Sequence, residues 1–186
     1  MTPKEKRERL LKNRPFIRPL RIYDGSYYHK DIGILWAAHK AKPFYSIDKK
    51  IDQNEFATII EGFSKSSLLF IADDDCQAFD SGRGPVCLIS VSDNGWRVEP
   101  HCEFFNWASK RNILRVSVSF LHWMHYKKIG VCVVRCMEES KGLFDHCKDY
   151  GVLFYVGKII GGDERGDEYI FSIMGKANPK RNRSAA

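Results

Sequence analysis

Apolar and polar residues change rhythm several times along this chain, and each change marks an element. Residues 16–22, "FIRPLRI", have the composition of a strand. In "DGSYYHKDIGILWAAHKA", Ile32, Leu35, Trp36 and His39 fall at helical spacing, which predicts an amphipathic helix. A second helix is predicted in "DQNEFATIIEGFSK", where Asp52 is followed three residues later by Glu55 in a capping-box pattern. "SLLFIADD" (67–74) reads as a short buried strand and "DDDCQAFDSGRG" as a polar turn. "PVCLISVSDNGWRVEPHCEFF" predicts a hairpin, because Asn94-Gly95 sits between two alternating apolar runs.

The segment after the hairpin allows two readings. "SKRNILRVSVSFLHWMHYKK" sets Ile113, Val116, Phe120 and Met124 on one helical face, yet "RVSVSF" alternates as a strand does. Periodicity leaves both open. Beyond it, "IGVCVVRC" is a β-branched buried strand and "EESKGLFDHCKDYG" a helix closed by Gly151. "VLFYVGKII" and "EYIFSIMG" are two strands joined by the turn "GGDERGD".

A chain of 186 residues with 44% hydrophobic content suits one domain with a sizeable core. The longest apolar runs, "GILWAA" and "LLFIA", are too short to span a membrane, and the N-terminus is charged where a signal peptide would be apolar. No membrane contact and a cytoplasmic location are therefore expected. The six cysteines form no Cys-x-x-Cys pair; they read as reduced core residues, with a disulfide framework as the alternative.

Charge changes the picture, because it is loaded at the ends. Residues 1–21 carry +6 and residues 176–186 carry +4 of a total of +7, which leaves −3 for residues 22–175. The division expected is a basic N-terminal arm (1–15), a domain (16–175) and a basic C-terminal tail (176–186). Such ends suit nucleic acid or an acidic protein, or else are solvated termini. A short helix in the arm, stopped by Pro15, is expected from its composition.

Candidate chemistry centres on "NWASKRN" (106–112). A helix starting at Ser109 would point unpaired N–H groups outward beside Lys110 and Arg111, an arrangement suited to phosphate. The other reading is a serine cap with two solvated cations. Glu103, with His101 two residues earlier on the same strand face, is the best candidate base; the alternative is a surface pair. His122 and His125 have the spacing of a metal pair but lack a third ligand, and "ADDDC" lacks the pattern of a calcium loop, so no metal site is expected. Trp36, Trp96, Trp107 and Trp123 are core or strand-face residues unless exposure makes them a stacking platform.

The element order resembles that of the GNAT superfamily of acyl-CoA N-acyltransferases. "IRPLRIYD" (17–24) is similar to the family's first strand, and "FDHCKDYGVLFYVGKI" (144–159) to its late helix and strand. The resemblance covers residues 16–175 and implies a mixed α/β (α+β) fold. Its central sheet would be mostly antiparallel, with six to seven strands and about four helices on its two faces. It also implies that 109–127 is helical and that the loop before it holds CoA pyrophosphate. The cofactor-binding set is then Phe105, Trp107, Ser109, Lys110, Arg111 and Asn112, with acetyl-CoA as cofactor. The chain departs from the family by having no glycine between Gly95 and Gly130. Where the family has its tyrosine, four residues before the late glycine, it has Cys147. The implied catalytic pair is thus Glu103 as base and Cys147 as acid.

Two functions follow from this resemblance. One is N-acetyl transfer from acetyl-CoA to an amine. The other is a GNAT-fold structural or interaction protein, since the chain is also similar to small GNAT-like proteins of bacteriophages, some of them internal virion components. The second reading implies a place in an oligomer or assembly.

Overall fold

In the computed structural model, residues 1–12, 15–45, 47–73, 85–93, 98–126, 132–163 and 166–173 are described. Among the described residues there are five helices: α1 (Pro3–Leu10), α2 (Lys30–Ala41), α3 (Gln53–Ser66), α4 (Lys110–Tyr126) and α5 (Glu138–Asp149). The strands are β1 (Phe16–Pro19), β2 (Tyr23–Asp24), β3 (Tyr27–Tyr28), β4 (Ser67–Asp73), β5 (Cys87–Asp93), β6 (Val98–Phe104), β7 (Cys132–Met137), β8 (Phe154–Asp163) and β9 (Gly166–Ile173). Seven of them form one sheet in the order β1-β4-β5-β6-β7-β9-β8, and β2 and β3 form a separate ribbon. Every pairing in the large sheet is antiparallel except β6 with β7. The mixed, mostly antiparallel α/β architecture expected from the sequence is the one observed.

Strand alternation divides the core in two. Cys87, Ile89, Val91, Val134, Cys136, Phe171 and Ile173 project toward α4 and α5, where Val116, Phe120, Met124 and Cys147 meet them. Leu69, Ile71 and Leu88 project the other way, onto Ile32, Leu35, Phe56 and Ile60 of α2 and α3. Asp52 begins α3 as expected, accepting from the amides of Asn54 and Glu55 while Glu55 accepts from the Asp52 amide. At the far end of α5, Gly151 takes a φ of +65°, and its amide donates to the Lys148 carbonyl; this left-handed position is one where a Cβ is strained.

Two features differ from expectation. The β2–β3 ribbon, turning at Gly25 with φ +63°, lies where no strand was predicted, since two-residue strands leave no periodicity to read. The segment expected as a turn (161–167) is largely strand: β8 continues to Asp163 and β9 starts at Gly166. The register shifts at Val156 and again between Ile159 and Asp163, so the outermost strand is kinked twice. The order of elements is otherwise as expected: α1 is the short helix of the arm, and the other four described helices are those expected on the sheet's two faces. The Asn94-Gly95 turn, "DDDCQAFDSGRG" beyond Asp73, Trp96 and the C-terminal tail lie outside the described residues.

Helix α1 does not extend away from the domain. Its Thr2–Glu5 capping box starts it, and Arg7 Nη1 donates to the Tyr150 carbonyl at 2.7 Å. Leu10 and Leu11 pack against the α4/α5 core. A Cβ added at Gly151 would stand 3.3 Å from the Pro3 Cβ, so the bare glycine is what lets the arm come this close.

One buried ion pair ties β1 to α2. Asp31, with no exposed surface, accepts from Arg18 Nη1 at 2.6 Å and Nη2 at 2.7 Å and from the Arg21 amide at 3.2 Å. Burial pushes the Asp31 carboxyl up, but the Arg18 and Arg21 hydrogen bonds together outweigh it and hold the group below its usual range. A carboxyl depressed in the folded state contributes stability above its unfolded value of about 4, and that contribution is lost as pH falls through the folded value. Arg18→Ala, which strands the buried carboxylate, is expected to cost about 3 to 5 kcal/mol in urea unfolding at pH 7, with the loss shrinking below about pH 4.

Candidate functional site

The one parallel pair sets the site. β6 and β7 share a register pair only at their first residues, Val98 with Cys132, among the described residues. Past it, Arg135 of β7 spans the seam, with Nη2 at 3.3 Å from Glu99 Oε2 on β6 and Nη1 at 3.4 Å from Glu168 Oε2 on β9. Glu99, His101 and Glu103 pair with Ser92, Ser90 and Leu88, and Leu88 belongs to the α2/α3 core. The three ionisable residues therefore line the α2/α3 face of the sheet, with Arg135 and Glu168 beyond them.

Glu103 is held there by two contacts. Its Oε1 accepts from the Tyr45 amide at 3.1 Å and lies 2.9 Å from His101 Nε2. Its side chain is one-fifth exposed, so the carboxylate is oriented yet reachable. This is a geometry in which Glu103 can take a proton from an incoming amine, with His101 as a relay.

Chain continuity then carries β6 into the loop. Phe105 extends the β5–β6 pairing by donating its amide to Val86, and Ala108 N–H closes a turn on the Phe105 carbonyl. The Phe105 ring is 2% exposed and stacks on Phe44; it braces the loop from inside and offers no surface to a ligand. Trp107 is 44% exposed, with its indole N–H donating to the Pro85 carbonyl at 2.8 Å. Ser109 caps α4: its Oγ accepts from the Asn112 amide at 3.2 Å, and its carbonyl accepts from Ile113. The expected helix over 109–127 is thus observed as Lys110–Tyr126.

The amides of Lys110 and Arg111 have no acceptor among the described residues, and both side chains are exposed. Two outward N–H groups with two cations beside them fit a phosphate, glycine or no glycine. Ser109, Lys110, Arg111 and Asn112 form the cap and first turn of α4.

Cys147 is not brought to Glu103. It has no exposed surface and packs in the α4/α5 core near Cys102, on the face of the sheet opposite to Glu103. Burial, with a smaller push from Cys102, raises its thiol to about 12. Cys102 and Cys136 are likewise raised to about 12 by burial. Cys87, Cys102, Cys136 and Cys147 are free thiols. Among the described residues no three His, Cys, Asp or Glu side chains gather as a metal site, and no helix is long and apolar enough to cross a membrane.

Sequence reasoning passed over Arg135, Glu168 and the Tyr45 amide. Arg135 had a signal, a lone cation inside the β-branched run "VCVVRC"; the Tyr45 contact, made across 58 residues of chain, had none.

No family model matches the chain, and no curated protein is similar to it by sequence. Solved structures are similar to it in fold. Spermidine N-acetyltransferase from Vibrio cholerae, in complex with CoA and spermine, superposes with a TM-score of 0.63 at 9% identity over 87% of this chain and 96% of that one. The fold is that of the GNAT acetyltransferases. A probable GNAT-family acetyltransferase from Chromobacterium violaceum gives 0.62 at 14% identity, covering 88% of this chain and 84% of its own. A GNAT-family acetyltransferase from Streptococcus pneumoniae gives 0.56 at 11% identity, covering 86% and 99%. The GNAT fold expected from the order of elements, with "IRPLRIYD" and "FDHCKDYGVLFYVGKI" in support, is therefore the fold observed.

Because the thiolate is the reactive form of cysteine, Cys87 and Cys147 are expected to stay unmodified by iodoacetamide at pH 8 in the native protein and to react fully in urea. Peptide mass mapping checks this, and native labelling of Cys147 would show an opening that the structure lacks.

Proposed function

We propose that the chain is an N-acetyltransferase that moves an acetyl group from acetyl-CoA to an amine. The observation that carries this reading is the first turn of α4, where two free amides and the Lys110 and Arg111 side chains stand at the end of the β6–β7 seam. Bound acetyl-CoA supplies a thioester, whose acyl C–S bond breaks as the C–N bond to the amine forms. Ser109, Lys110, Arg111 and Asn112 hold its pyrophosphate, and Trp107 flanks the same loop. Glu103 accepts the proton that the ammonium must lose before its nitrogen can attack, and the second proton, released as the amide forms, passes to solvent. Cys147, with no exposed surface, is assigned to packing, so the departing thiolate takes its proton from water.

Three carboxylates, Glu99, Glu103 and Glu168, face the single cation Arg135, which bridges Glu99 and Glu168, and this net negative balance favours an acceptor that arrives as an ammonium ion. That a spermidine acetyltransferase shares the fold supports the same choice. The second reading, a GNAT-fold structural or interaction module such as a virion component, draws on the missing glycines and the displaced acid.

Isothermal titration with acetyl-CoA separates the two. The wild-type protein is expected to bind in the micromolar range and Arg111→Ala about tenfold or more weakly, since a charged phosphate contact is worth about 1.5 to 3 kcal/mol. Equal affinity of the two proteins overturns the cradle, and no heat from wild type leaves the structural module. In an assay against a panel of polyamines, Glu103→Gln is expected to lower kcat about a hundredfold.

A further inference from the structure

Beside the first turn of α4 lies a cleft of about 430 Å³, formed where α1 docks on the C-terminal end of α5. Lys6 and Arg9 of α1, Arg111 of α4 and His146 and Asp149 of α5 line it. Its volume falls in the range of small-molecule sites. Three cations from two helices face one carboxylate, and none of the three has an ion-pair partner among the described residues. Three cations against the one carboxylate of Asp149 leave the cleft with a net positive charge, which attracts an anion into it.

The arm that supplies two of these cations is fixed in place, by the Arg7 bond to the Tyr150 carbonyl and by the close approach of Pro3 to Gly151. Arg7 is spent on docking, whereas Lys6 and Arg9, one residue before it and two after, remain exposed. Arg111 belongs to both places, since it lies in the first turn of α4 and lines the cleft. A ligand whose pyrophosphate sits on that turn therefore has its next anionic group within reach of α1.

We propose that the cleft receives the 3′-phosphorylated adenosine end of CoA, with Lys6 and Arg9 of the N-terminal helix binding the 3′-phosphate. This rests on the acyl-CoA reading above and adds the arm to the cofactor site. It also gives a physical reason why a loop without glycines can serve: side-chain cations recruited from α1 replace part of what close backbone approach supplies elsewhere.

The test is isothermal titration of wild type and Lys6→Ala/Arg9→Ala, each with CoA and with 3′-dephospho-CoA. Wild type is expected to prefer CoA by roughly tenfold or more, and the double variant to bind the two forms alike, with dephospho-CoA affinity as in wild type. Thermal melts of both proteins verify that α1 stays docked, and Arg7→Ala, which frees the arm, is expected to lose the same preference. Wild type binding the two forms equally, or a variant weakened equally toward both, overturns the proposal while the acyl-CoA reading stands. Wild type binding neither form overturns both.

Discussion

Two neighbouring strands that run the same way cannot be joined by a tight turn, and the β6–β7 pair imposes that condition on an otherwise antiparallel sheet. The chain must leave the top of β6, return along a face and re-enter beside its starting edge. Helix α4 is that return path, which is why its first turn stands where β6 ends and its apolar stripe covers the sheet. The ladder between the two strands stops after Val98 and Cys132, and the Arg135 guanidinium occupies the seam with Glu99 and Glu168. Everything at the candidate site is placed by this arrangement: Glu103 on one face, the Ser109 cap at the end and the α4/α5 core behind.

Charge is distributed to match. The middle of the chain is acidic overall while the ends are basic. In the fold, carboxylates gather on the α2/α3 face of β6 and β9, and cations gather at α1 and the start of α4. Opposite charge on two parts of the surface steers ligands of opposite sign to different places, as the proposed phosphorylated donor and ammonium acceptor would require.

Local signals were legible and long-range ones were not. The Asp52–Glu55 box, the Ser109 cap and the left-handed Gly151 are each decided within a few residues, and all stand where the sequence puts them. The order of elements sufficed for the fold. Asp31 could not be recognised as buried, because a carboxylate in the first turn of a helix ordinarily faces water; the Arg18 side chain from β1 and the Arg21 amide make the interior tolerable. Likewise, Glu103 was visible as an acid on a strand, but its positioning by Tyr45 depends on contacts that no periodicity encodes. Cys147 was legible as a small core thiol, with the acid role only implied by the resemblance, and its packing is that of the core.

The kinks in β8 have a consequence for how this molecule behaves among copies of itself. The strand is the outer margin of the sheet and exposes Phe154, Tyr155, Val156, Ile159 and Ile160. A straight margin of that composition would act as a seed, adding one chain after another by backbone pairing. The irregularities at Val156 and between Ile159 and Asp163 interrupt the row of donors and acceptors, so the greasy rim lacks the regular comb that fibril growth requires. Each irregularity thus shortens the run of backbone groups with which a second strand could pair along this rim.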